Sequence, residues 1–149
     1  MTENGFIAIA LDEARAAAAR GEVPVGAVLV DAAGHVLARA GNRVEELSDP
    51  TAHAEVLAIR AATAERGKPR LTDCDLYVTL EPCAMCATAV SFARLRRLVF
   101  GAYDPKGGGV EHGARILAQP TTHHAPEVVG GVAESDCAVL LKAFFAERR

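Results

Sequence analysis

Residues 76–102, LYVTLEPCAMCATAVSFARLRRLVFGA, decide the fold of this chain. The apolar run Leu76–Leu80 has the length of a buried strand, and Leu98–Ala102 is a second such run. Between them, Pro82 begins a predicted helix that continues to about Arg94. A strand followed by a helix and another strand predicts a parallel pair within a central sheet.

The flanking sequence predicts the remaining elements from its apolar spacing and from the positions of Gly and Pro. These elements are a helix at Phe6–Arg20 with Gly21 as its C-cap, hairpin strands at Val25–Asp31 and His35–Ala40, a polar loop over residues 41–51, a helix from Pro50 to Gly67, a surface loop over residues 104–113, a short helix, a strand at Glu127–Gly130 and a helix at Glu134–Arg149. Together they predict a mixed sheet with helices on both faces.

Length and composition limit the class of protein. The chain has 149 residues, of which 50% are hydrophobic and 23% charged, so we expect one globular domain spanning residues 1–149 rather than a disordered or fibrous protein. No apolar run approaches the roughly 18 to 20 residues of a membrane span, and charged residues interrupt the N-terminal segment, which excludes a secretory leader. We therefore expect a cytoplasmic protein that does not enter a membrane.

Charge is distributed unevenly along the sequence. The net charge of −3 argues against a protein that coats nucleic acid nonspecifically. Basic residues nevertheless cluster after the cysteine-containing segment and near the C-terminus, at Arg94, Arg96, Arg97 and Lys106 and at Lys142, Arg148 and Arg149. Such clusters either hold phosphates or form an ordinary solvated surface, and the sequence alone leaves both interpretations open.

Two of the four cysteines, Cys83 and Cys86, form a C-x-x-C pair. Cytoplasmic thiols stay reduced, so a metal site or a redox pair is a better interpretation than a disulfide framework. The pair alone is a weak signal, since half a zinc site, a redox couple and two buried cysteines share this spacing. Its position at the predicted start of a helix favours thiolates, because the helix dipole and the free N–H groups stabilise negative charge.

His53 and Glu55 supply the groups that the C-x-x-C pair lacks. An imidazole with two thiolates gives three tetrahedral zinc ligands and leaves a fourth position open, which is typical of catalytic rather than structural zinc. Glu55 follows two residues later, where its carboxylate can reach water at that position, and the small Ala54 between them lets a planar ligand approach closely. H-x-E followed by P-C-x-x-C is the signature of zinc nucleobase deaminases, and His53–Glu55 with Pro82–Cys86 match it in full.

Beyond this signature, the chain resembles the bacterial tRNA-specific adenosine deaminases of the cytidine deaminase superfamily. The similarity covers nearly the whole chain and lies in EVPVGAVLV (22–30), the Asn42 loop, DPTAHAE (49–55), LYVTLEPCAMC (76–86), VFGAYDPK (99–106) and FFAERR (144–149). The resemblance implies a three-layer α/β/α cytidine deaminase-like fold with a central five-stranded mixed sheet. It further implies a homodimer with one Zn²⁺ per subunit that converts adenosine to inosine at the wobble position of a tRNA anticodon stem-loop.

The resemblance also assigns roles to single residues. It implies that His53, Cys83 and Cys86 bind zinc, and that Glu55 moves protons while water attacks C6 of adenine. In addition to Ala54, the implied substrate contacts are Asn42, Asp104, Lys106, Phe144 and Phe145, with Arg148 and Arg149 near phosphates. Other interpretations remain open, since Asn42, Asp104 and Lys106 also suit turns, and at least one of the two phenylalanines suits the core.

Two other functions fit the zinc signature. A deaminase of free bases or nucleosides, of the guanine, cytosine or adenine type, shares H-A-E and P-C-x-x-C, and only PVGAVLV, the DPK loop and the FFAERR terminus favour tRNA over it. A nonenzymatic zinc or RNA-binding module is the second alternative, although Glu55 beside an open zinc position argues against it. Thr88 and residues 107–124 depart from the family pattern, and His112, His123 and His124 receive no role.

Overall fold

The computed structural model describes residues 1–148 and contains one five-stranded sheet. In chain order the elements are α1 (Glu3–Ala19), β1 (Gly26–Val30), β2 (Val36–Gly41), α2 (Val44–Leu47), α3 (Ala54–Arg66), β3 (Asp75–Leu80), α4 (Ala84–Phe92), β4 (Arg97–Ala102), a 3-10 turn (Ile116–Ala118), β5 (Glu127–Val129) and α5 (Glu134–Ala146). The strands are ordered β2-β1-β3-β4-β5 across the sheet. Both ends of each strand lie within one residue of the predicted bounds.

The sheet combines antiparallel and parallel pairs. Strand β1 lies antiparallel to both β2 and β3, whereas β4 lies parallel to both β3 and β5. In the β3–β4 pair, Leu76 is the partner of Leu98, and Val78 is the partner of Phe100. The predicted mixed sheet is confirmed, and so is the parallel pair predicted within residues 76–102.

Two apolar layers cover the two faces of this sheet. One layer packs α3 and α4 against the sheet through small residues such as Ala58 and Ala87, and the other packs α1 and α5 against the opposite face, with Phe6 among its members. Neighbouring residues of β1 enter different layers, Leu29 the first and Val28 the second. Because both faces are covered, β1 is apolar along its length. The arrangement is the three-layer α/β/α fold that the resemblance implies.

The start of α3 lies later than the sequence predicts. The helix begins at Ala54 rather than at Pro50, because residues 49–52 form a turn before it. In this turn Asp49 Oδ1 accepts hydrogen bonds from the backbone N–H of Thr51 at 2.8 Å and from its hydroxyl at 2.7 Å. His53 is consequently the N-cap residue, with extended backbone, and its side chain leaves the chain just before the helix.

Helix α4 also begins later than predicted. It starts at Ala84 rather than at Pro82, and Cys83 is its N-cap residue with extended backbone. The carbonyl of Pro82 instead accepts a 2.8 Å hydrogen bond from the backbone N–H of Gly109, in a loop distant along the chain. In both metal-motif segments a candidate ligand, His53 or Cys83, is therefore the residue directly before a helix.

The first and last helices differ from prediction at their outer ends. Helix α1 begins at Glu3 rather than at Phe6, because Thr2 Oγ1 caps it by accepting a backbone N–H of the first turn at 3.3 Å. Helix α5 ends at Ala146, and Arg149, where its end was predicted, lies outside the described residues. None of the helices within residues 1–148 is both long enough and apolar enough to span a membrane.

A short helix that the sequence did not reveal interrupts the predicted polar loop over residues 41–51. Helix α2, at Val44–Leu47, is held by the carboxylate of Glu22, whose oxygens accept the backbone N–H groups of Glu45 at 3.1 Å and Glu46 at 2.8 Å. A carboxylate at the start of a helix stabilises the unpaired N–H groups there. Because Glu22 is far away in sequence, local patterning gave no indication of this helix.

Candidate active site

Helices α3 and α4 bring the metal-motif residues together. His53 Nδ1 lies 3.6 Å from the sulfur of Cys83 and 3.5 Å from the sulfur of Cys86. His53 and Cys83 are separated by 30 residues in sequence, so the fold creates this cluster. Among the described residues, these three form the only group of at least three His, Cys, Asp or Glu side chains whose ligand atoms could share one ion.

The spacing of the three ligand atoms fits zinc. Tetrahedral zinc with Zn–S of about 2.3 Å and Zn–N of about 2.0–2.1 Å places nitrogen and sulfur about 3.6 Å apart. Both distances from His53 agree with this value. Cys83 and Cys86 are free thiols, so both sulfurs are available as ligands. One imidazole and two sulfurs form a typical zinc donor set that leaves a fourth position for water or substrate.

The contact between the two sulfurs moves their pKa values in opposite directions. Hydrogen bonding from Cys86 and His53 outweighs burial and lowers the pKa of Cys83 to about 4. The same contact between the sulfurs, together with burial, raises the pKa of Cys86, and contact with Cys83 raises the pKa of His53. The lowered pKa favours the thiolate form of Cys83, which is the form that binds a cation. Binding of a divalent cation would release the remaining protons, because zinc ligands are deprotonated.

Glu55 lies beside the cluster in the first turn of α3 and is only 4% exposed. Burial raises the pKa of Glu55 to about 7, and the negative charge of Cys83 acts in the same direction. Glu55 also lies in the wall of a cavity beside the cluster. A buried carboxyl group that titrates near neutral pH can both accept and donate a proton.

A cavity of about 710 Å³, here called the central cavity, opens onto this cluster and falls in the size range of small-molecule sites. Its wall contains six of the predicted zinc, catalytic and substrate residues, which are Asn42, His53, Glu55, Cys83, Asp104 and Phe144, and also Arg148, which was predicted to lie near phosphates. The remaining wall residues are Gly21, Glu22, Val23, Val25, Val44, Glu45, Pro50, Leu80, Glu81 and Gly107. The cavity thus lies where the helix starts meet the loops after β2 and β4 and the end of α5.

Asn42 is held at two points in the wall of the central cavity. Its backbone carbonyl accepts a hydrogen bond of 3.2 Å from the Arg20 guanidinium, and its side-chain oxygen accepts one of 2.8 Å from the backbone N–H of Ala54. The side-chain NH₂ group is therefore the part of this amide that can donate to a bound molecule. Ala54 itself is fully buried. Contact of either residue with a base stays a prediction.

Lys106 and Phe145 lie in the wall of a second cavity of about 380 Å³. This cavity also contains Lys142 and shares Asp104 with the central cavity. Phe145 is 47% exposed, whereas Phe144 is 7% exposed, so the aromatic side chain that suits the core is Phe144. Apart from the buried Ala54, the side chains predicted to contact substrate are therefore divided between two adjoining cavities, and their contacts with substrate stay predictions.

Arg148 covers the Phe144 ring at the edge of the central cavity. The central carbon of its guanidinium lies 3.5 Å from the ring centroid, and one of its NH groups donates to the Phe144 carbonyl at 3.1 Å. The side chain is thereby held at the cavity wall by a cation–π contact. Arg149, the other predicted phosphate contact at this terminus, lies outside the described residues.

Two arginines of the basic cluster after α4 are paired with acidic side chains. Arg96 donates two hydrogen bonds to Asp75, at 2.9 and 2.8 Å. Arg97 forms ion pairs with Glu3 and Glu127. The structure therefore favours an ion-paired surface over a phosphate site for these two arginines.

The adjacent histidines His123 and His124 lie apart from the metal cluster. The His124 ring is hydrogen-bonded through Nε2 to the Leu95 carbonyl at 2.8 Å, and its backbone N–H donates to the Ser91 hydroxyl at 3.0 Å. The His123 ring packs edge-on against Phe92. These contacts explain both side chains without a second metal ion.

Two buried acidic residues of the cavity wall were missed by sequence reasoning. Glu22 holds the start of α2, and Glu81 holds the loop after β4 through backbone N–H groups. A signal was present in the sequence, because Glu81 directly follows an apolar strand and precedes Pro82-Cys83. A charged side chain at such a position must be strongly hydrogen-bonded if it is buried.

Comparisons with known proteins show the family of this chain. Residues 1–102 match the family model described as the cytidine and deoxycytidylate deaminase zinc-binding region. The chain is 60% identical over 144 residues to a tRNA-specific adenosine deaminase of Agrobacterium fabrum, covering 97% of this chain and 94% of that protein. It is 48% identical over 140 residues to one of Bacillus subtilis, covering 94% of this chain and 86% of that protein. A solved structure from a study of A-to-I editing by tRNA:A34 deaminases at the wobble position of transfer RNA superimposes with a TM-score of 0.90 at 60% identity, covering 92% of this chain and 99% of that chain.

Proposed function

The chain belongs to the tRNA-specific adenosine deaminases, within the cytidine and deoxycytidylate deaminase zinc-binding family, and from this we propose how its residues convert adenosine to inosine at the wobble position of a tRNA anticodon. The observation that carries the proposal is the buried carboxyl group of Glu55 next to three zinc-ligand atoms in the wall of a cavity. A nonenzymatic zinc module has no need of such a carboxyl group beside an open ligand position.

We propose that His53, Cys83 and Cys86 hold one Zn²⁺ per subunit. When bound, the zinc would supply a Lewis acid that acidifies water at its open position. Two thiolates and a neutral imidazole leave little net positive charge on such a centre, so a protein base beside the water matters more than in an all-histidine site. Glu55 can be this base, because its carboxyl group lies beside the cluster in the cavity wall.

Glu55 carries the protons of the reaction. Its carboxylate accepts a proton from the attacking water, whose oxygen forms a bond to C6 of adenine. The carboxylic acid then delivers this proton to N1 of the ring. Glu55 next passes the proton of the new C6 hydroxyl to the amino nitrogen, the C6–N bond breaks, and adenosine and water have given inosine and ammonia. Burial raises the pKa of Glu55 to about 7, which suits a group that must take up and release a proton in the same cycle.

Residues of the cavity wall orient the nucleoside. The side-chain NH₂ of Asn42 would donate to a nitrogen acceptor of the purine, since its oxygen is occupied by Ala54. Asp104 is held in a turn, where its carboxylate accepts the backbone N–H of Gly107 at 2.9 Å, and its other oxygen remains available to a ribose hydroxyl. An unpaired anticodon base can enter this cavity without breaking a duplex.

The second cavity would hold the RNA that flanks the target nucleotide. Lys106 and Lys142 provide positive charge for phosphates, and the exposed ring of Phe145 provides a surface on which a base can stack. This cavity adjoins the central cavity at Asp104, as a continuous single-stranded ligand requires. A free base has no group to fill it, which favours tRNA over the free-base alternative.

We further propose that a second copy of the chain covers the apolar patch on α3 and α4, which contains Val56, Met85, Ala89 and Phe92. Phe92 is 59% exposed, which is unusual for a large apolar side chain. The two helices that carry this patch also begin next to His53 and Cys83. Formation of the proposed homodimer would therefore bury the outer surface of the helices that hold the metal.

The proposed location is the cytoplasm, where the thiols of Cys83 and Cys86 stay reduced.

The proposal is tested by incubating the zinc-loaded protein with an anticodon stem-loop that carries adenosine at the wobble position. Matched reactions contain the same stem-loop with guanosine at that position, free adenosine, guanine or cytosine, and products are identified by mass spectrometry. We expect inosine only from the stem-loop with wobble adenosine. Deamination of free guanine, cytosine or adenosine with an unchanged stem-loop would contradict the proposal and support the free-base or nucleoside alternative.

A further inference from the structure

The side chain of Glu81 has no solvent exposure and five hydrogen-bond partners. One carboxylate oxygen accepts the backbone N–H of Asp104 at 3.0 Å and lies 2.8 Å from His112 Nδ1. The other accepts the backbone N–H groups of Val110 at 3.2 Å, Glu111 at 2.9 Å and His112 at 3.1 Å. All five donors belong to residues 104–112, here called the 104–112 loop.

These bonds keep Glu81 ionised although it is buried. A protonated carboxyl group would turn an O–H toward one of these N–H donors, so the arrangement suits the carboxylate. An ionised carboxylate accepts hydrogen bonds at about four positions, and the 104–112 loop supplies a donor for each. Bonds of this charge-assisted kind are about twice as strong as neutral ones.

Glu81 also connects the loop to the metal site through the chain itself. Pro82 and Cys83 follow it directly, and the Pro82 carbonyl accepts the backbone N–H of Gly109 at 2.8 Å. The fit against the carboxylate is close, because a Cβ atom on Gly108 would collide with a Glu81 oxygen. The 104–112 loop is thus hydrogen-bonded to Glu81 and to Pro82, which directly precede the proposed zinc ligand Cys83.

The other end of the loop forms part of the substrate site. Asp104 and Gly107 lie in the wall of the central cavity, and Lys106 lies in the wall of the second cavity. The backbone N–H of Asp104 donates to Glu81 and fixes the first residue of the 104–112 loop. The backbone N–H groups of Val110 and Glu111 also donate to Glu81 and fix the end of the loop. Within residues 1–148, no other carboxylate accepts N–H groups from both ends of this loop.

We propose that Glu81 is a positioning residue, which holds the 104–112 loop in the conformation that binds the RNA substrate. It does not touch the reacting atoms. The inference rests on the proposed function, because it assigns the loop the task of binding the target nucleotide. Its consequence is that loosening the loop weakens substrate binding more than it slows the chemical step.

The test compares Glu81→Gln with the unmodified zinc-loaded protein. The amide keeps the size of the side chain but turns an NH₂ group toward N–H donors, so at least two of the five bonds are lost. Loss of charge-assisted bonds predicts backbone hydrogen exchange at residues 104–112 that is faster by about tenfold or more. We expect KM for the stem-loop to rise by a similar factor while kcat changes less than about threefold, with zinc content unchanged.

Two further variants keep the inference testable. Glu22→Gln makes the same substitution at another buried carboxyl group of the cavity wall, and should speed exchange at residues 45–46 without affecting residues 104–112. His112→Ala removes a single, partly exposed partner of Glu81, and should fold even if Glu81→Gln does not. It should raise exchange in the 104–112 loop and KM in the same direction by a smaller factor.

The possible outcomes separate the two proposals. Faster exchange confined to the 104–112 loop, together with a raised KM, supports the positioning role. Unchanged exchange and unchanged KM in both Glu81→Gln and His112→Ala would overturn it. A lower kcat with unchanged KM and faster exchange throughout the chain would also overturn it, because that result indicates a general loss of folding. Absence of inosine with the unmodified protein overturns the proposed function instead, and the exchange measurements then decide whether Glu81 holds the loop.

Discussion

The side-chain oxygen of Asn42 accepts a hydrogen bond of 2.8 Å from the backbone N–H of Ala54, the residue between His53 and Glu55. This bond joins the loop after β2 to the first turn of α3, and both partners are buried. The N–H groups in the first turn of a helix have no partner within the helix, so a buried one must be satisfied from outside. Asn42 therefore fixes the start of the metal-binding helix while presenting its NH₂ group to the central cavity.

Replacing Asn42 with Ala should affect both stability and activity. The substitution leaves the buried N–H of Ala54 without an acceptor, which predicts a loss of about 1–3 kcal/mol in the free energy of unfolding. Denaturant unfolding of the zinc-loaded protein measures this loss. Asn42→Asp is the matched variant, since it keeps an acceptor for Ala54 but loses the NH₂ donor. We expect Asn42→Asp to lose less stability than Asn42→Ala and still to lose activity. Normal activity in Asn42→Asp would show that the NH₂ group makes no essential contact.

Glu55→Gln should bind zinc normally and lose turnover. The amide occupies the same volume but cannot take a proton from water, so kcat should fall by about 10²- to 10⁴-fold. Inosine formation and the zinc content per chain are measured on the same sample. Glu65→Gln, an exposed position on the same helix, is the control and should be fully active. Near-normal turnover in zinc-loaded Glu55→Gln would contradict the role assigned to this residue.

Phe92→Lys should weaken the proposed homodimer. A central, desolvated aromatic side chain commonly contributes about 2 kcal/mol or more to an interface, which corresponds to about a 30-fold increase in the dimer dissociation constant. Sedimentation velocity over a range of concentrations measures this constant. Val139→Lys is the control, because Val139 is also exposed but lies on α5, on the opposite face of the sheet. An unmodified protein that sediments as a monomer at high concentration would contradict the proposal.

Binding of the stem-loop should weaken steeply as salt concentration rises. Each phosphate contact with single-stranded RNA contributes about 0.7 to the slope of log affinity against log salt. The double variant Lys106→Ala/Lys142→Ala should bind more weakly and give a slope shallower by about 1.4, since two contacts are removed. Arg15→Ala removes an exposed charge from α1 and should leave the slope unchanged. A flat salt response in the unmodified protein would argue against phosphate binding by this surface.

Much of the fold and of the metal site could be predicted from the sequence because those features have local signals. Apolar runs marked every strand of the sheet, and the strand–helix–strand order of residues 76–102 predicted its parallel pair. The spacing of His53, Glu55 and the two cysteines carried the zinc chemistry. Grouping His53 with the cysteines also needed the family signature, since these residues meet only in three dimensions.

The features that could not be predicted depend on contacts between distant segments. Helix α2 exists because Glu22 accepts N–H groups 23 and 24 residues away. The glycine-rich 104–112 loop is ordered by Glu81, which no local pattern in the loop reveals. Arg96 and Arg97 had the appearance of a phosphate site, but the fold places acidic residues of other strands and helices against them.

The central claim is that an imidazole and two cysteine sulfurs hold one zinc ion and leave a position open beside Glu55. X-ray absorption spectroscopy at the zinc edge, on protein with measured zinc content, tests it most directly. We predict one zinc per chain, with two sulfur atoms at about 2.3 Å and lighter atoms at about 2.0–2.1 Å, one of which is not from the protein. Zinc surrounded by four sulfur atoms, zinc with no sulfur ligand, or protein that is active without any bound metal would contradict the account.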